Sequence, residues 1–180
     1  MTRRRFAMTV DMKRCVGCSA CSLACKAENG LDGSGLRCWV KVETEGTFPH
    51  LAQEVRSERC EHCDHPACVA VCPTGASYVS DGGTVLVEQD RCVGCKACIA
   101  SCPYGSRYIN HAGVAEKCTF CLHRVRAGKE PACVTNCPTG ALAFGDRNDP
   151  TSTVSKHLAS RQTKQLAEDR GFGANLFFLD

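Results

Sequence analysis

Sixteen of the chain's 17 cysteines fall into four sets of four, and no other residues in it are better placed to do chemistry. The first set is Cys15, Cys18, Cys21 and Cys25. The second is Cys60, Cys63, Cys68 and Cys72. The third is Cys92, Cys95, Cys98 and Cys102, and the fourth is Cys118, Cys121, Cys133 and Cys137; Cys38 is left over. A disulfide between such close neighbours would close a tiny, strained loop and add little stability. Thiolate sulfur is soft and suits iron in sulfide clusters. A single C-x2-C pair is a weak signal, more often zinc, and two such pairs make a zinc ribbon. Four complete sets, three of them closed by Pro73, Pro103 and Pro138, point to four [4Fe–4S] clusters. A zinc-stabilised binding module is the competing reading from another class.

A C-x2-C-x2-C loop wraps three corners of a cubane. The fourth cysteine leaves on the segment that follows, and in two-cluster ferredoxins it ligates the other cluster. The motifs should therefore work in pairs. A hairpin signal joins motifs two and three, which leaves motifs one and four to pair across the chain. The expected ligand sets are Cys15, Cys18, Cys21 and Cys137 (site a); Cys25, Cys118, Cys121 and Cys133 (site b); Cys60, Cys63, Cys68 and Cys102 (site c); and Cys72, Cys92, Cys95 and Cys98 (site d). Motif two has one extra residue before Cys68, and motif four carries a long loop, 122–132; neither removes a thiolate.

The elements that must position these thiols repeat as well. A basic residue precedes each motif (Arg14, Arg59, Arg91 and Lys117), and is expected either to offset cluster charge and so raise the reduction potential, or to serve as a structural ion partner. Pro-Thr-Gly-Ala recurs at 73–76 and 138–141, an internal duplication. Ser77–Val79 and Thr84–Val87 flank Asp81-Gly82-Gly83 as a hairpin. A helix is expected after each third cysteine, carrying the fourth. Gly30, Gly33 and Gly35 mark a loop ahead of a strand at Cys38–Val42. The pattern predicts a C-terminal helix over Ser152–Asp169, capped by Thr151 or Ser152 and stopped by Gly171, with Val154, Leu158 and Leu166 on one side. Leu176–Leu179 reads as a final strand or a partner contact. The fold class is α+β, built from nested two-cluster ferredoxin-like modules with long connecting loops. A split module covers 1–58 and 104–149, an inserted module covers 59–103, and a docking helix and tail cover 150–180.

Composition narrows the function. Hydrophobic residues are 43%, but that includes the cysteines, and aromatics are only 6%, so clusters must help hold the fold. No run of 18 apolar residues is present to span a membrane. The net charge of +3, with no basic helix interleaved with aromatics, argues against nucleic acid. Arg3-Arg4-Arg5-Phe6 reads as a solvated basic N-terminus, since no apolar stretch follows. No Ser-His-Asp set, paired carboxylates or nucleotide loop is evident, so neither catalytic residues nor an organic cofactor is expected. Cys38 reads as a buried free thiol. His62, His65 and His123 read as loop packing near ligands, with tuning of cluster potential as the alternative, and His123–Arg126 as a basic loop facing a partner or solvent.

Several stretches carry a family resemblance: Cys15-Val16-Gly17-Cys18-Ser19-Ala20-Cys21, Cys60-Glu61-His62-Cys63, Val71 to Ala76, Lys117-Cys118-Thr119-Phe120-Cys121, Pro131 to Ala141, and Phe144-Gly145-Asp146. In these the chain resembles the four-cluster iron–sulfur subunits of molybdopterin oxidoreductases, of the dimethyl sulfoxide, polysulfide, thiosulfate and tetrathionate reductase type. The resemblance runs from about residue 6 to the end. It implies a non-catalytic electron-transfer subunit, a large molybdopterin catalytic partner and a quinone-binding membrane partner. It also implies a peripheral membrane location, on the outer face by co-export with the catalytic subunit, with the cytoplasmic face as the other option. By the same resemblance, the motif one and four pair faces the catalytic subunit and the motif two and three pair the membrane subunit. The alternative is a wire serving a hydrogenase, a carbon monoxide dehydrogenase or a formate dehydrogenase.

Overall fold

A computed structural model describes residues 3–31, 33 and 35–180; Asp32 and Ser34 of the expected glycine loop lie outside the described residues. The elements in chain order are β1 (Phe6–Asp11), α1 (Ala20–Asn29), β2 (Cys38–Thr47), β3 (His50–Arg59), α2 (Ala67–Ala70), β4 (Ser77–Val79), β5 (Val85–Val87), α3 (Ala97–Ala100), β6 (Tyr108–Ile109), β7 (Ala115–Glu116), α4 (Leu122–Arg126), α5 (Ala132–Thr135), β8 (Leu142–Asp146), α6 (Thr153–Ser160), β9 (Thr163–Lys164) and β10 (Leu176–Leu179). The class is α+β, as the sequence predicts.

One sheet gathers the chain's two ends, in the order β8-β1-β10-β9. β1 runs antiparallel to β8, with Met8 opposite Phe144, and parallel to β10, with Met8 opposite Leu176. The tail is therefore a strand of the protein's own core, with Leu176, Phe178 and Leu179 buried. β4 and β5 pair antiparallel around Asp81–Gly83, as predicted. The strand expected at Cys38–Val42 runs on to Thr47 and turns into β3, making a ten-residue hairpin. β3 is mostly polar, and it pairs because Arg56 bridges Glu43 on β2 and Glu58 on its own strand, each at 2.6 Å.

Three helix expectations need correcting. α1 begins before the third cysteine of motif one and carries both Cys21 and Cys25. In the other motifs a single turn carries the third cysteine, and the helix stops before Cys72, Cys102 and Cys137. Proline explains the difference, because the residue before a proline is driven out of the helical region. Motif one has Lys26 at that place, so its helix continues. The C-terminal helix ends at Ser160 rather than Asp169, because residues 163–164 extend to pair with β10. Ser152 caps it, accepting from the Ser155 N–H at 3.1 Å. α6 packs on β8 and β1, where Val154 is buried, while Leu166 reaches the core from beyond the helix. The third correction concerns His123–Arg126, which lies in the helix α4 rather than a loop.

Among the described residues the main core contains twelve buried side chains, and six of them are cysteines: Cys21, Cys25, Cys38, Cys60, Cys118 and Cys133.

Candidate metal centres

In every motif the residue before the second cysteine lies in the left-handed region: Gly17 (φ 69°), His62 (φ 45°), Gly94 (φ 66°) and Phe120 (φ 52°). That reversal curls each C-x2-C loop back on itself. Glycine adopts it without steric cost in motifs one and three. In motifs two and four the strain is held by packing, since His62 and Phe120 are fully buried and stack with centroids 3.8 Å apart. The His62 Nδ1 also accepts from the Val85 N–H at 3.1 Å. His65 is exposed, and His123 lies 2.7 Å from Glu28.

Cys15, Cys18, Cys21 and Cys137 ring one small cavity. Cys60, Cys63, Cys68 and Cys102 ring another. The thiols surround space rather than meeting at a point: among the described residues no three His, Cys, Asp or Glu side chains converge as a single ion requires. Cys25, Cys118, Cys121 and Cys133 are all buried together. Burial, with Cys133 and Cys121 beside it, pushes the Cys25 thiol up to about 12. Burial and the neighbouring Cys60 and Cys68 likewise push Cys63 up to about 12. Thiols packed together away from water resist ionisation, and bound iron supplies the positive charge that makes them thiolates. The donor set therefore fits iron–sulfide clusters. Cys92, Cys95 and Cys98 lie on and before α3, which packs against α2, the turn that ends two residues ahead of Cys72.

The duplicated Pro-Thr-Gly-Ala does the same work twice. The Ser77 and Ala141 N–H groups donate to Cys72 and Cys137 Sγ at 3.4 and 3.3 Å. Thr74 and Thr139 Oγ1 lie 3.7 Å from the same sulfurs. Burial works against ionisation of Cys72, but these bonds prevail and bring it down to about 7. Gly75 and Gly140 are left-handed, and a Cβ at either would stand 3.0 Å from a guanidinium nitrogen, of Arg91 and Arg14 respectively. Arg14 and Arg91 thus rest on the partner motif's glycine, and Arg91 also donates to the Thr74 carbonyl at 2.7 Å.

Two contributors escaped the sequence reading. Cys38 is buried as expected, and its thiol lies 3.5 Å from the Ser57 hydroxyl, which also lies 3.2 Å from Cys21 Sγ. Arg107 is buried with Nη2 donating to Cys68 Sγ at 2.9 Å, and no motif marks it. Glu61 is buried with both carboxyl oxygens lacking a partner, and burial drives its pKa up, favouring the neutral acid.

Comparison with known proteins agrees with this geometry. A 4Fe-4S dicluster domain model matches residues 51–147 and a second model of the same description matches 7–73. A polysulfide reductase component of Wolinella succinogenes is 43% identical over 98% of this chain and 94% of its own. A tetrathionate reductase component of Salmonella typhimurium is 40% identical over 98% of this chain and 73% of its own. The thiosulfate reductase electron transfer subunit of Salmonella typhi is 40% identical over 96% and 91%. The protein belongs to the 4Fe-4S dicluster family, as an iron–sulfur electron-transfer subunit with four [4Fe–4S] clusters.

Proposed function

We propose that this chain relays electrons between a molybdopterin catalytic subunit and a quinone-linked membrane subunit, through sites a, b, c and d in that order. The ligand sets are the four that motif pairing gives, within a split module (1–58 and 104–149), an inserted module (59–103) and a C-terminal segment (150–180). One observation carries the pairing: Cys137 closes the ring begun by Cys15, Cys18 and Cys21 from the far end of the chain. When bound, the clusters accept and pass single electrons. The chain's own residues hold them, exclude water and set their charge environment.

Two ports support the relay. Cys18 and Cys95 are the exposed thiols, one in motif one and one in motif three, and the rest are half-buried or buried. Each lies beside an apolar side chain left in solvent, Val16 at 66% and Val93 at 68% exposure. Such side chains at an electron's point of entry suit a dry protein contact. Site a then faces the catalytic subunit and site d the membrane subunit. No helix among the described residues is long and apolar enough to cross a membrane, which agrees with a peripheral place in the complex. We place it on the outer face, carried there with the catalytic subunit.

The test is purification of the native complex carrying Val16→Glu or Val93→Glu. Val16→Glu should release the molybdenum-containing subunit and leave the membrane subunit attached; Val93→Glu should do the reverse. Retention of both partners in both variants, with quinol-driven reduction intact, overturns the two-port reading.

A further inference from the structure

Arg59, Arg107 and Lys117 lie in the interior, exposed to 0%, 5% and 2% respectively. A charge buried this deeply is costly unless it is paired. The partners of these three are thiols, hydroxyls and carbonyls, and they fall at the boundaries between sites. Arg59 Nη1 donates to Cys133 Sγ of site b at 3.0 Å. Its Nη2 donates to Ser57 Oγ, which lies 3.2 Å from Cys21 Sγ of site a. Arg107 Nη2 donates to Cys68 Sγ of site c at 2.9 Å. Its Nη1 donates at 2.8 Å to Ser77, whose own N–H donates to Cys72 Sγ of site d. Lys117 Nζ donates to the Cys118 carbonyl at 2.7 Å in site b and to the Val85 carbonyl. Val85 lines the cavity of site c. The two basic residues that precede the outer motifs, Arg14 and Arg91, are exposed.

We propose that Arg59, Lys117 and Arg107 are positioning residues for electron transfer, one at each junction of the row a–b–c–d. Each fixed charge stabilises an added electron on both flanking clusters. An electron on one site otherwise repels an electron on the next, because the interior screens charge poorly. A cation between them raises both potentials together and keeps the row level enough for transfer in either direction. This inference rests on the ligand sets proposed above.

The test is a potentiometric titration of the cluster-loaded chain, followed by electron paramagnetic resonance, with each signal assigned through cysteine-to-serine variants. Lys117→Met should lower the potentials of sites b and c and leave a and d unmoved. Arg59→Met should lower a and b, and Arg107→Met should lower c and d. Lys117→Arg, which keeps the charge, should restore values near wild type. A shift on one site alone, an equal shift on all four, or no shift overturns the inference. A measurement on the wild type guards against variants that fail to load. With 15N-arginine incorporated, pulsed resonance should show guanidinium nitrogen coupling at sites b and c, and its absence also overturns the inference. Iron and sulfide analysis separates the two levels: fewer than four cubanes in the wild type would defeat the ligand sets themselves.

Discussion

At the residue scale, the thiols act in groups that backbone strain and hydrogen bonds assemble. A non-glycine residue held left-handed costs about 1–3 kcal/mol and persists only where its surroundings over-determine it. His62 and Phe120 meet that condition by stacking on each other inside the core. The proposed lending of last cysteines between motifs has a direct consequence. Cys102→Ser and Cys68→Ser, which lie in different motifs, are expected to abolish the same cluster signal, while Cys98→Ser abolishes a different one. Paramagnetic resonance of the reduced variants checks this, and loss of one common signal in Cys102→Ser and Cys98→Ser would break the pairing. The sixteen candidate ligands were legible residue by residue, because C-x2-C spacing is a local property. The left-handed positions were half legible: Gly17 and Gly94 announce themselves, whereas His62 and Phe120 do not.

At the element scale, proline decides where helices stop, and a few polar ties decide where elements meet. Asp11 ends β1, and its carboxylate accepts from the Lys13 and Arg14 N–H groups at 3.1 Å each. It also accepts from the Arg161 guanidinium just beyond α6. The Arg161 bond, working against burial, holds the Asp11 carboxyl below the usual carboxylate range. A depressed carboxyl pKa adds stability above the unfolded value of about 3.9, and this is lost as the pH falls through the folded value. Asp11→Asn is therefore expected to cost about 1–3 kcal/mol at pH 7. Anaerobic urea unfolding followed by circular dichroism checks it, and an unchanged midpoint would show the tie to be idle. The hairpin at 77–87 was readable from β-prone runs around Asp81-Gly82-Gly83. β1 and β3 were not, because β1 is defined by partners more than 130 residues away and β3 by ion pairs across to β2.

At the scale of the whole molecule, half of the main core residues are cysteines, so cluster binding and folding are one equilibrium. Chelation of iron under anaerobic conditions is expected to abolish the cooperative melting transition and open the chain to protease. Retention of a sharp melt in the iron-free chain would mean that the sheet β8-β1-β10-β9 stands alone. The sequence by itself determined the donor atoms, the number of sites, the α+β class and the duplication, since each is written in short-range spacing. Only the tertiary structure decided that the tail is a core strand, that Cys38 and Cys21 share the Ser57 hydroxyl, and that Arg59, Lys117 and Arg107 are buried while Arg14 and Arg91 stay in solvent. Those outcomes depend on burial, which is set by elements distant in the chain closing over one another. A basic residue before a cysteine looks the same in sequence whether water or a second cluster lies beyond it.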